Sequence, residues 1–178
     1  MKTSALRLSF AFAAALLPAL AGAQSPPIKP GLWEVKSDRG GDGVQRAQAL
    51  ERMKNMPPEA RAKFDAMMKE RGMSMDADGN NRVCLSKASL DAGAWQRQTS
   101  CKTDYSSRNG SSWKWHTVCT RPEAESDGEA TFPNSETYLI NIATTMKMGD
   151  QTRVTHMTMN AKWLGSNCGD LKPVDPKQ

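Results

Sequence analysis

Hydrophobic and polar positions along this chain follow two different periods. Gly31 to Ser37 carries Leu32, Trp33 and Val35, bulky side chains that suit a pleated surface, and predicts a first strand ended by Gly40-Gly41-Asp42-Gly43. From Val44 to Gly72 the spacing turns helical: Leu50, Met53 and Met56, then Ala60, Phe64, Met67 and Met68, recur at three- and four-residue steps. Pro57-Pro58-Glu59 divides this stretch into two helices, because proline fits a first helical turn and breaks an interior one. Glu59 suits the positive N-terminus of the second helix, and Gly72 ends it.

A turn cluster, Asp76-Ala77-Asp78-Gly79-Asn80, precedes a short strand over Asn81 to Leu85, and Ser86 can cap a brief helix reaching about Ala94. The rest reads as β. Cys101 to Ser107 and Ser111 to Thr120 flank Asn109-Gly110, a strong hairpin signal, and Gly128 to Phe132 is a strand closed by Pro133-Asn134-Ser135. Thr137 to Met148 and Gln151 to Trp163 form a long hairpin about Gly149-Asp150. The expected fold is α+β, mainly antiparallel, with about six or seven strands in a meander or curled sheet and a two-helix insertion near the N-terminus.

Pairing follows from the turns. A three-residue loop in the first hairpin sets Cys101 opposite Cys119, and a two-residue loop shifts the alignment by one. A two-residue turn at Gly149-Asp150 sets Met157 opposite Ile142 and Met159 opposite Ile140. Tyr138, Ile140, Ile142, Met146, Met148, Met157, Met159 and Trp163 then share one apolar face, while Asn141, Lys147, His156 and Lys162 lie on a wet one.

The N-terminus changes where all this happens. Lys2 and Arg7, an apolar run from Leu8 to Leu20, and Ala21-Gly22-Ala23 are the three regions of a secretory signal, so residues 1–23 are expected to be removed on export. The apolar run is short for a permanent membrane anchor. What remains is a leader over 24–30, one secreted domain over 31–170 containing the helical insertion at 44–72, and a tail over 171–178. The formal charge of +5 falls to +3 with Lys2 and Arg7 gone, and no basic run with interleaved aromatics points to nucleic acid.

Export also makes the cysteines readable. Cys84, Cys101, Cys119 and Cys168 are even in number and contain no Cys-x-x-Cys pair, which favours two structural disulfides over a redox site or a zinc ribbon. The preferred pairing of the three available is Cys101 with Cys119 and Cys84 with Cys168.

Methionine is the unusual residue. Eleven occur, ten of them after Met1, and three Met-x-Met pairs stand out: Met73 with Met75, Met146 with Met148, and Met157 with Met159. Residues two apart on a strand point the same way, so Met146, Met148, Met157 and Met159 are a candidate Cu(I) set of soft thioethers. The plain alternative is core packing. A third reading makes Trp113, Trp115, Ile140, Ile142, Phe64, Met67 and Met68 an adaptable face for an apolar small molecule, lipid or envelope protein segment. Trp113 and Trp115 share their strand face with Thr117 and Cys119, opposite Lys114, His116 and Val118.

Catalytic signals are sparse. His116 and His156 are the only histidines, no catalytic or cofactor-binding motif appears, and the carboxylate pair Glu123 and Glu125 reads as part of a polar loop. Asp76-Ala77-Asp78-Gly79-Asn80 opens like a calcium loop, but Asn81 stands at its glycine position and Lys87 at its bidentate glutamate, so it reads as a turn.

Pro30-Gly31-Leu32-Trp33-Glu34-Val35, Val83-Cys84-Leu85-Ser86 and Trp163-Leu164-Gly165-Ser166-Asn167-Cys168-Gly169, together with the Met-rich hairpin, resemble a family of short secreted proteobacterial proteins catalogued only as a domain of unknown function. The resemblance runs from Pro30 to Gly169 and implies a periplasmic location, with no activity or site residue attached. The expectation is a non-catalytic periplasmic binding or envelope-maintenance protein without a cofactor. A Cu(I)-binding protein and an envelope hydrolase are its alternatives.

Overall fold

The computed structural model describes residues 25–40, 43–76, 78–92 and 100–174. The expected signal peptide, Gln24, the end of the brief helix at Ala94 and the last residues of the tail lie outside them. Among the described residues no helix is long and apolar enough to cross a membrane.

Eight strands form one open antiparallel sheet: β1 (Gly31–Arg39), β2 (Met73–Met75), β3 (Asn81–Leu85), β4 (Cys101–Arg108), β5 (Ser112–Thr120), β6 (Glu123–Asn134), β7 (Thr137–Met148) and β8 (Gln151–Gly165). Their spatial order is β2-β3-β1-β8-β7-β6-β5-β4. The chain from β4 to β8 is thus a continuous meander, and β1 sits between the last strand and β3. The count exceeds the six or seven expected. Met73-Ser74-Met75 is too short to announce itself, and becomes a strand by pairing Met73 with Val83 and Met75 with Asn81.

β6 is also far longer than Gly128 to Phe132, and its first residues overturn the loop reading of Glu123 and Glu125. Its inward positions Ala124, Ser126, Gly128 and Ala130 are small and lack the branched or aromatic side chains that mark strands. They are strand because β5 and β7 pair with them on both sides.

The Met-rich hairpin has the expected register, with Ile142 opposite Met157 and Ile140 opposite Met159. The first hairpin reaches the alignment expected of a three-residue loop only away from its turn. Beside the turn Arg108 pairs with Trp113, and a bulge between Tyr105 and Ser107 resets the register so that Cys101 meets Cys119. Both expected disulfides form, Cys101 with Cys119 and Cys84 with Cys168.

The insertion comprises α1 (Gly43–Lys54) and α2 (Pro58–Glu70), with Pro58 in the first turn of α2 and Glu59 beside it. Gly72 follows with a φ of 76°, the left-handed conformation that glycine adopts without strain. The Phe64, Met67 and Met68 stripe is not sealed against the sheet: α2 has no buried residue, Phe64 and Met68 are half-buried, and Met67 is 44% exposed. Instead α2 packs against β2, and Lys69 and Lys172 form ion pairs with Asp170 and Glu70 that tie it to the C-terminal segment. α3 (Lys87–Asp91) is capped by the Ser86 hydroxyl, which accepts from the Ser89 N–H at 3.0 Å.

The core gathers on one face of the sheet: Trp33 and Val35 of β1, Trp113 and Trp115 of β5, Ala130 and Phe132 of β6, Tyr138 and Ile140 of β7, with Ile28 of the leader and Leu90 of α3 closing one end. Three of the described indole N–H groups have a backbone acceptor. Trp33 donates to the Lys29 carbonyl, Trp113 to that of Asn109 and Trp163 to that of Pro30, all at 3.0–3.1 Å, leaving the rings free for apolar contact.

Candidate functional site

Directly opposed residues in an antiparallel sheet share a face, so the pairings sort the side chains into an inner and an outer set. The inner set falls into rows running across the strands. The rows through Trp33, Val35 and Ile140 are mostly sealed. Beyond them the face opens toward the β7–β8 turn.

The first open row runs from Arg39 of β1 through Met157 and Ile142 to Gly128, Trp115 and Tyr105. Met157 and Ile142 are half-buried, as is Met159 in the row before. Trp115 is buried because it lies across Gly128, where any β-carbon would overlap its ring. The next row is entirely hydroxyl: Thr103, Thr117, Ser126, Thr144 and Thr155, all half-buried. Thr103 and Thr117 hydrogen-bond at 2.8 Å, and Ser126 and Thr144 at 2.9 Å. A third row holds the Cys101–Cys119 disulfide, Ala124, Met146 and Arg153. The face therefore grades from sealed aromatic core, through an apolar floor, to a belt of hydroxyls.

The residues singled out from the sequence scatter across this gradient. Trp113, Trp115 and Ile140 are core, 3%, 7% and 4% exposed. Ile142 lies on the open floor, joined there by Met157 and Met159. Phe64, Met67 and Met68 sit on α2 at the β2 edge.

The four methionines weighed as a copper set do not converge. Met146 faces Arg153, and lies four residues along β7 from Ile142, the partner of Met157. At about 3.3 Å per residue this is about 13 Å. Met148 is further out, opposite Gln151 and 53% exposed.

His116 stands on the outer face, where its Nδ1 lies 2.9 Å from the Asp127 carboxylate. That hydrogen bond raises its pKa above the ordinary imidazole value, with the nearby charges of Asp127, Glu125 and Asp104 adding to the effect. Asp127 is its one side-chain partner among the described residues, so no serine joins the pair. His156 is also outward, separated from His116 in its row by Asp127 and Ala143.

The Asp76 loop spends its oxygens on itself. Oδ1 accepts from the Asp78 and Asn80 N–H groups at 3.0 and 2.8 Å, and Oδ2 accepts from the Asn80 amide at 3.2 Å. Partial desolvation pushes the Asp76 pKa up, and these hydrogen bonds outweigh it, leaving the carboxyl below its ordinary value. No group of three or more His, Cys, Asp or Glu among the described residues could hold a metal ion.

The hydroxyl row and the inward arginines escaped the sequence reading, apart from Thr117 beside the tryptophans. Their only signal is alternation, which becomes a row once five strands are in register.

These features define a class: a disulfide-stapled, open antiparallel sheet with one polar face and one apolar face left half-open. Within that class the chain belongs to the family described as protein of unknown function (DUF3617), whose model matches residues 28–168. It is also similar to a Pseudomonas putida protein named "Uncharacterized protein in lpd-3 5'region", with 33% identity over 112 residues, covering 59% of this chain and 77% of that protein. No solved structure matches the chain significantly.

Proposed function

We propose that the protein is a non-catalytic binding protein of the periplasm, exported by the signal at residues 1–23, that holds an apolar ligand on the open part of its inner face. Its two disulfides are compatible with an extracytoplasmic setting. The observation that carries the reading is the half-exposed floor of Ile142, Met157 and Met159, continuous with a packed aromatic core and bounded by a belt of hydroxyls. A stable core seals such side chains, whereas a ligand surface leaves them in reach of solvent beside a few placed polar groups. Methionine suits the task, since its unbranched thioether repacks around different shapes.

Native mass spectrometry of the gently purified protein tests this. A lipid-like adduct is expected, and should disappear in Met157→Asp, which puts a charge on the floor. A wild-type protein that carries no adduct and takes up no added apolar probe would remove the proposal.

A further inference from the structure

Charge on the strands is divided between the two faces by sign. Every strand carboxylate points outward: Glu34 and Asp38 on β1, Asp104 on β4, and the four on β6. The inward positions carry three arginines and no carboxylate. Arg39 faces Met157, Arg153 faces Met146, and Arg108 faces Trp113. An outer face exposed to water accommodates either sign. A largely apolar inner face that admits only cations is biased toward anions.

Two of these arginines are also unspent. Arg39 and Arg153 are exposed and neither is ion-paired with a described carboxylate, although Lys29, Lys114 and Lys147 on the same sheet or its leader each have one. They flank Thr155, the β8 end of the hydroxyl row. Arg108 stacks on Tyr105, its guanidinium carbon 3.4 Å from the ring centre and 4.9 Å from that of Trp113, and its buried Nε has no hydrogen-bond partner.

We propose that the ligand of this face is a single-chain anionic amphiphile, a long-chain carboxylate. This rests on the apolar-ligand reading and specifies its chemistry. The tail lies on Ile142, Met157 and Met159, toward Trp115. The carboxylate sits at the hydroxyl belt, accepting hydrogen bonds from Thr155 and from the guanidinium of Arg39 or Arg153. Arginine matches a carboxylate with two parallel N–H donors, and such charge-assisted bonds are roughly twice as strong as neutral ones.

Three probes with the same twelve-carbon tail separate the contributions: laurate, dodecanol and dodecyltrimethylammonium, each titrated below its micelle concentration by calorimetry. Laurate is expected to bind about tenfold more tightly than dodecanol, with the cation weakest. That preference should shrink in high salt, because exposed charges are screened. The double variant R39Q/R153Q should remove the preference for laurate over dodecanol. Dodecanol or the cation binding as tightly as laurate would overturn the anionic ligand while sparing the apolar one, as would a preference that survives the double variant. If none of the three binds, the apolar-ligand reading falls, and this inference with it.

Discussion

Gly128 carries more of the inner face than its size suggests. Adding a methyl group to a strand glycine restricts the unfolded chain, and where the space exists this stabilises by about 0.4–1 kcal/mol. Here the new carbon would overlap the Trp115 ring, and overpacking of a buried site costs about 1–3 kcal/mol. The steric cost wins, because Trp115 is held between Gly128 on one strand and Tyr105 on the other. Gly128→Ala is therefore expected to lower stability by about 1–2 kcal/mol in urea unfolding, with a change in tryptophan emission. A neutral or stabilised variant would mean that Trp115 does not lie across β6. The glycine is plain in the sequence. Its partner is not, since the two residues meet only through the pairing of β5 with β6.

At the scale of elements, the Met-rich hairpin and the helical insertion contain similar residues and end up in different environments. Alternation places Ile140 and Met159 on one face whatever surrounds the hairpin, so its register was legible. The three- and four-residue spacing of Phe64, Met67 and Met68 correctly predicts a helix, but amphipathicity does not say how much surface a neighbour will cover. The part of the sheet that α2 chiefly meets is its three-residue edge strand. Substitutions should reveal the contrast. Ile140→Ala, in the sealed core, is expected to cost about 2–5 kcal/mol, whereas Met67→Glu, on the exposed side of α2, should change stability by no more than about 0.5 kcal/mol. Equal losses in thermal or urea unfolding would show that α2 is part of the cooperative core. β6 is the opposite case, a strand whose small inward residues hide it from pattern reading until β5 and β7 enclose it.

For the whole molecule, the two disulfides do unequal work. Cys101–Cys119 closes a separation of 18 residues within one hairpin, whereas Cys84–Cys168 closes 84 and joins β3 to the segment after β8. Loop-closure entropy gives about 3 kcal/mol for the first and about 4.5 kcal/mol for the second. C84S/C168S should thus be less stable than C101S/C119S by about 1–2 kcal/mol in denaturant unfolding. The reverse order would mean that residual structure in the unfolded chain, rather than loop length, sets their contributions.

The sequence by itself determined the β-rich class, the two-helix insertion with its proline break and glycine stop, the presence of two disulfides and the register of the long hairpin. All of these follow from short-range periodicity, turn chemistry or counting. Tertiary structure alone decided which faces are sealed and which stay open, and that an edge strand and a lengthened β6 complete the sheet. It also lined up five hydroxyls from five strands and set arginines without carboxylates around the apolar floor. The physical reason is that a row across a sheet is built from residues far apart in the chain. No local pattern encodes it, and it exists only when every strand is in register.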